Sequence, residues 1–280
     1  MMRTSCLAIG LLFACTATVP ESGSPGGDDS GGVDVTGDVT GLGSAWTSVG
    51  YGVAYQRVNA GDAIVIAYGG YTAKLAYSAA WASELVDARL GAAEVGQIYA
   101  VQGPEDPGYD AKEIGNSKLR RHLATIDDGA SPIYVIAHSS GSYVAHELLD
   151  QLYAAGTTGV LSRIHYACLE GGGAGLDDAI VGSLAHVEFV YAHDPTLDDG
   201  YSENHAAELE LAAEYAPNAT SAEVSVPSTG CDDGAGWCLH DVVVTHRPHD
   251  PDSFDLADDY TDFTGRPLTT EYLDAWLPQD

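Results

Sequence analysis

The stretch Ile133-Tyr134-Val135-Ile136-Ala137-His138-Ser139-Ser140-Gly141 decides how the chain is read. Ile133 to Ala137 is an unbroken apolar run, of a length that suits a strand buried on both faces. Beyond Gly141, Val144, Leu148, Leu149 and Leu152 recur at helical spacing through Tyr143 to Tyr153. A strand that passes at once into a helix leaves Ser139 on the turn, with Ala137 two residues before it and Gly141 two after. This is the G-x-S-x-G pattern of a nucleophile elbow, with alanine in the first glycine's place. A turn so tight leaves room only for very small side chains at those two positions. The helix N-terminus adds positive dipole where an alkoxide would develop. A serine-rich helix cap is the competing reading.

Outward from the elbow, strand and helix patterns alternate about six times. Ala63 to Tyr68 is a second continuous apolar run, ending in Gly69-Gly70, and Ala73 to Leu90 follows with helical spacing. Gln97 to Val101 reads as a short strand and Ser117 to Ile126 as a helix. After the elbow come strands at His165 to Leu169 and Val187 to Ala192, with a helix around Leu176 to Leu184 between them. Asn204 to Tyr215 is helical, Ala222 to Val226 is a last short strand, and a terminal helix lies near Thr270 to Leu277. Ahead of all these, Ala45 to Asn59 alternates loosely and fits one or two antiparallel strands. The alternation predicts an α/β fold: a mostly parallel sheet covered by helices on both faces, with ligands at the carboxyl ends of the strands.

The elbow in this setting resembles the α/β-hydrolase superfamily of the lipase and esterase type, over roughly Ala45 to Leu277. Alanine in place of the first glycine is the form found in a subset of bacterial lipases. The resemblance implies a serine nucleophile, then an acid, then a histidine in chain order. Ser139 is the nucleophile. Asp194, just past the second strand after the elbow strand, is the expected acid; Glu170, Asp177 and Asp178 are rivals, and Asp198 and Asp199 more distant ones. Asp194 precedes Pro195, so an Asp-Pro turn is its other reading. His240, in the loop after the last strand, is the expected base, with His246 and His249 as competitors. The oxyanion hole would take one N–H from Ser140 and one from Tyr71, in Tyr68-Gly69-Gly70-Tyr71 after an earlier strand. The remaining seven histidines read as surface or capping residues. The implied activity is cleavage of carboxylic esters, of a small molecule or a lipid, through an acyl-enzyme and without a cofactor. Amide cleavage or acyl transfer by the same triad, and a non-catalytic binding protein of the same fold, are the alternatives.

Composition bounds the rest. The 280 residues are 45% hydrophobic, with 33 Gly and 12 Pro, which excludes a disordered, fibrous or coiled-coil chain. Forty-one acidic residues against eleven Lys and Arg give a net charge of −30. Such a surface repels phosphate backbones, so no nucleic-acid partner is expected. The acidic residues are scattered, with pairs such as Asp127-Asp128, and read as a solvated surface.

Residues 1–20 read as an export signal, with Arg3 ahead of the apolar Leu7 to Ala14. Leu12-Phe13-Ala14-Cys15 resembles a lipoprotein box with Cys15 lipidated, though Phe13 departs from the pattern. The expectation is a secreted or lipid-anchored protein, in which residues 21–44 form a flexible Gly/Ser/Asp linker and residues 45–280 the hydrolase domain. No apolar run, this one included, reaches the roughly 18 residues a membrane-spanning helix needs. Cys231 and Cys238 bracket a short Gly-rich loop and suit a disulfide in an oxidising compartment. Cys168 reads as a buried thiol. No metal is expected from the cysteines, since no CxxC pair exists. Asp250 to Asp255 lacks the glycine and terminal glutamate of an EF-hand, and Leu169-Glu170-Gly171-Gly172-Gly173 lacks what completes a phosphate loop.

Overall fold

The computed structural model describes residues 42, 44–71, 73–89, 95–104, 110–171, 176–193 and 202–225, all within a compact unit spanning Val35–Asp280. In chain order these are β1 (Thr47–Gly50), β2 (Val53–Arg57), β3 (Ala63–Tyr68), α1 (Leu75–Arg89), β4 (Val95–Val101), α2 (Asp110–Ile126) and β5 (Ile133–His138). There follow α3 (Gly141–Ala154), α4 (Thr158–Leu161), β6 (Ile164–Leu169), α5 (Asp178–Val181), β7 (His186–His193), α6 (Ser202–Glu214) and β8 (Ala219–Ser225). One eight-stranded sheet runs in the order β1-β2-β4-β3-β5-β6-β7-β8. β1 and β2 are antiparallel to their neighbours, and β4, β3, β5, β6, β7 and β8 are parallel. The expected α/β class and the antiparallel start are what the structure contains.

Strand alternation sorts the core onto two faces. On one, Val53, Tyr99, Val101, Val135, Tyr166 and Phe189 pack with Leu119 and Leu123 of α2, Val144, Leu148 and Leu149 of α3, Ile180 of α5 and Ala212 of α6. Their strand neighbours Ala54 and Ala100 point the other way, onto Leu75 and Ala79 of α1. β3, β4 and β5 are buried along their whole length, as their continuous apolar runs require.

Topology then locates the functional end. From β3 the chain crosses by α1 to β4 on one side, and from β4 it returns by α2 to β5 on the other side of β3. The two crossovers part between β3 and β5, leaving a crevice at the carboxyl ends of those strands. Gly69 and Ser139 are the first residues past those two ends.

Several local expectations are corrected. α2 begins at Asp110, not Ser117, because Gly115 and Asn116 are packing residues and not helix breakers. A Cβ at Gly115 would stand 2.8 Å from the Tyr51 carbonyl oxygen. Asn116 is fully buried, accepting from the Tyr68 hydroxyl (3.0 Å) and donating to the Val144 carbonyl (2.7 Å). α5 is one turn, started by the Asp177 cap, which accepts from the Ala179 N–H at 2.7 Å. Asp127-Asp128 is not merely solvated. Asp127 takes a two-pronged ion pair from Arg163, with Nη1 to Oδ1 at 2.9 Å and Nη2 to Oδ2 at 2.6 Å. Asp128 accepts from the Ser131 hydroxyl (2.6 Å) and from the Ser131 and Ala130 N–H groups, which hold its carboxyl down at about 2. Among the described residues, no helix is long and apolar enough to cross a membrane.

Candidate active site

The elbow is built as the sequence requires. Ser139 has φ 52°, in the left-handed region that glycine usually occupies, between the end of β5 and the start of α3. Its N–H donates to the Leu169 carbonyl of β6 at 2.9 Å. Its carbonyl accepts from both the N–H (2.9 Å) and the hydroxyl (2.7 Å) of Ser142. Ser142 is fully buried and clamps the turn from below. Sequence reasoning missed that role, although a serine three residues after a turn residue is a known source of such back-bonds.

Ser140 does not cap the helix. It stands at the N-cap position with helical backbone angles and no side-chain cap bond. Its hydroxyl is buried with no hydrogen-bond partner among the described residues. At Ser140, therefore, the serine-cap reading is not met.

The Tyr68-Gly69-Gly70-Tyr71 loop meets the elbow. A Cβ on Gly141 would run into the carbonyl of Gly69, and would stand 2.8 Å from that of Tyr68. Only glycine at 141 lets the two backbones come so close. The loop is held by Gly69 N–H to Val101 O (3.1 Å), Ala73 N–H to Gly70 O (3.1 Å) and Gly103 N–H to Ala73 O (2.9 Å). Tyr71, at the end of this loop, is 49% exposed. Ser139, Ser140 and the loop carrying Tyr71 are therefore brought together at the crevice, where the N-terminus of fourteen-residue α3 contributes positive potential.

The rival acids separate. Asp177 is spent on capping α5, and Asp178 is exposed in that helix's first turn. Glu170 is different: it follows β6 directly, is only 4% exposed and has φ 48°. Asp194, Asp198, Asp199, His240, His246, His249, Cys231, Cys238, Cys15 and Asp250 to Asp255 lie outside the described residues.

Two histidines expected at the surface are in the core. His138 and His146 are buried, and the His146 Nε2 meets the Tyr166 hydroxyl at 2.9 Å. Burial lowers the His146 pKa to about 4, and its Nδ1 has no hydrogen-bond partner among the described residues. The unfolded chain takes up this proton as pH falls through about 6.5, while the folded chain does so only near 4. Stability attributable to His146 is therefore full above pH 6.5 and falls by about 3 kcal/mol as the pH drops to 4. Urea unfolding at pH 7.5 and 4.5 checks this. His146→Gln should lose clearly less between the two than wild type, and equal losses would assign the acid sensitivity elsewhere.

Cys168 is a buried free thiol, as expected, its Sγ 3.4 Å from Oε1 of Glu208; burial raises its pKa, so it is no nucleophile. A Thr220–Glu188–His186 cluster resembles a triad in composition, with His186 Nε2 3.2 Å from Glu188 Oε2. It spans the opposite end of β7 and β8 from Ser139 and joins those strands. Among the described residues no group of three His, Cys, Asp or Glu could hold a metal. Asn218-Ala219-Thr220 matches a glycosylation sequon, but the Asn218 side-chain nitrogen donates to the Val181 carbonyl at 3.0 Å, which ties up the atom a glycan would need.

No family model matches the sequence, and no curated protein matches it. Solved structures do match. Carboxyl esterase 2 from the mycorrhizal fungus Tuber melanosporum superposes with TM-score 0.51 over 81% of this chain and 82% of its own, at 9% identity. An esterase of Pyrobaculum calidifontis matches at TM-score 0.45 and 12% identity, over 62% of this chain and 70% of its own. A hormone-sensitive lipase from a metagenome library matches at TM-score 0.45 and 11% identity, over 65% and 75%. The sheet order, the elbow after the fifth strand and the superposition on the Tuber esterase together give this protein the α/β-hydrolase fold.

Proposed function

We propose that the protein is a serine hydrolase that cleaves carboxylic esters. The observation that carries this is Ser139: a non-glycine residue held at positive φ at the switch point of the sheet, beside a glycine loop from the neighbouring strand. Strain of that kind, where no hairpin asks for it, points to function. The matching esterase supports the ester as the bond cut. In this reading Ser139 attacks the acyl carbon and His240 takes the hydroxyl proton. The Ser140 and Tyr71 N–H groups receive the oxyanion, and His240 then protonates the leaving alcohol. Water releases the acyl-enzyme by the same steps in reverse roles, and no cofactor is needed. The carboxylate that fixes the base comes from one of two places, both of which fit the order serine, acid, histidine: Asp194, just past the second strand after the elbow strand in the sequence, or Glu170 at the end of β6. Export, with an N-terminal lipid on Cys15 and a Cys231–Cys238 bridge stiffening the loop before His240, completes the reading from the sequence side.

The test is labelling of the purified protein with a fluorophosphonate probe, followed by hydrolysis of short-chain p-nitrophenyl esters. Wild type should be labelled and turn over, and Ser139→Ala should do neither. A folded wild type that is not labelled would leave a binding protein as the better reading.

A further inference from the structure

One bond in the elbow reaches past the residue that accepts it. The Ser139 carbonyl takes two hydrogen bonds from a single residue, one from the Ser142 N–H at 2.9 Å and one from the Ser142 hydroxyl at 2.7 Å. A carbonyl oxygen has two lone pairs, and here both can be filled from the same side. The hydroxyl bond is the additional one, since alanine at 142 would still leave the carbonyl its N–H partner. Ser142 is fully buried. Gly171, just past β6, closes over it: a Cβ there would stand 2.8 Å from both Cβ and Oγ of Ser142, and would run into the Cys168 Sγ. The hydroxyl is thus held in a dry, tightly enclosed place, where a hydrogen bond is stronger than in solvent.

The Ser139 carbonyl shares one rigid plane with the Ser140 N–H. That peptide is trans, so its carbonyl and its N–H point in opposite directions. Ser142 is wholly buried, whereas Ser139 and Ser140 are only partly so. Holding the carbonyl toward Ser142 therefore turns the carbonyl end of the plane inward and aims the N–H end at the crevice. No turn or loop carbonyl among the described residues accepts that N–H. Aim is one effect and strength is the other. Hydrogen bonds in a chain polarise one another, so an amide whose carbonyl accepts a buried bond donates a stronger one from its N–H.

We propose that Ser142 is a positioning residue of the oxyanion hole: by holding the Ser139 carbonyl, its hydroxyl orients and polarises the peptide whose N–H, on Ser140, donates to the developing oxyanion. The inference rests on the reading of Ser139 as nucleophile and Ser140 N–H as oxyanion donor given above. Ser142 acts only through that peptide.

The experiment compares Ser142→Ala with Thr157→Ala in ester hydrolysis and thermal unfolding. Ser142→Ala leaves no buried acceptor unpaired, so it should fold. It should lower kcat for a short-chain ester about tenfold with KM within twofold, a smaller loss than the roughly 10²–10³-fold of deleting an oxyanion donor, because the N–H is still there. A trifluoromethyl ketone, captured by an active serine as a hemiketal whose oxygen sits in the oxyanion position, should bind about tenfold more weakly, in step with kcat. The control lies at the other end of α3, where the Thr157 hydroxyl donates to the Leu152 carbonyl, also at 2.7 Å. Thr157→Ala should shift Tm about as much as Ser142→Ala, by about 4 °C or less, with kcat within twofold. The proposal is overturned if folded Ser142→Ala keeps kcat within twofold, if its loss falls on KM, or if the ketone binds it as tightly as wild type. It is overturned too if Thr157→Ala loses as much kcat, since activity would then merely follow stability. Each of these outcomes is read against an active, labelled wild type, whereas failure of the hydrolase reading itself shows as a wild type that the fluorophosphonate probe does not label.

Discussion

Replacing Ser139 by glycine should make the protein more stable and catalytically dead. At φ 52° the serine side chain costs about 1 kcal/mol or more that glycine does not. Ser139 is partly exposed at the crevice, which limits the burial that offsets this. The backbone bonds that hold the turn, to Leu169 and from Ser142, use only main-chain atoms of residue 139 and survive the change. For a domain of this size, 1 kcal/mol corresponds to a Tm about 2–4 °C higher. Loss of a nucleophilic serine removes about 10⁶-fold of kcat in a triad enzyme. Scanning calorimetry and hydrolysis of a short ester measure the two halves separately. A lower Tm would mean that the serine hydroxyl is holding the turn together, and a retained rate would remove Ser139 from the chemistry.

The second large effect is expected at Gly141. Alanine there is the better helix former by about 1 kcal/mol, so propensity alone predicts stabilisation at the start of α3. The added Cβ, however, meets the carbonyls of Gly69 and Tyr68, which are backbone and cannot swing aside. Relief requires α3 and the Gly69–Gly70 loop to move apart, at a cost of about 1–3 kcal/mol. The loop carries the Tyr71 N–H proposed for the oxyanion, and a misplaced oxyanion donor costs about 10²–10³-fold in kcat. Gly141→Ala should therefore lower both the urea midpoint and kcat, with KM little changed. A raised midpoint with full activity would show that the crevice has slack at this contact.

The fold was legible because its decisive signals are local. The runs Ala63–Tyr68 and Ile133–Ala137 read as buried strands, and a small residue two before and two after Ser139 announced the turn. The mostly parallel sheet followed from the alternation, but the strand order β1-β2-β4-β3-β5-β6-β7-β8 did not, because it depends on which side of β3 each crossover lands. What escaped the reading depends on partners distant in sequence. Gly115 and Asn116 look like helix breakers until Tyr51, Tyr68 and Val144 are brought against them. Asp127 reads as surface until Arg163 reaches it from the start of β6. β8 begins at Ala219, three residues before its expected start, because the polar Thr220 and Ser221 pair with Glu188 and Phe189 of β7, which the local sequence does not show. The site divides along the same line. Residue type reveals a serine, its small neighbours and a glycine loop, but the backbone strain at Glu170 belongs to the packed sheet and leaves no mark on composition.

The pairing of β3 with β5 carries a consequence for how activity is acquired. Ile64 meets Ile133 only after α1, β4 and α2 have intervened, so this seam closes one of the longest loops in the sheet. Contacts between such distant segments are entropically slow to form and come late in folding. The Gly69 loop and Ser139 sit on opposite sides of that seam, so neither half of the chain carries a reactive centre by itself. On the proposed function, a newly made or partly opened chain would be inert, and the appearance of a labelled serine during refolding would be a direct clock for the closing of the sheet.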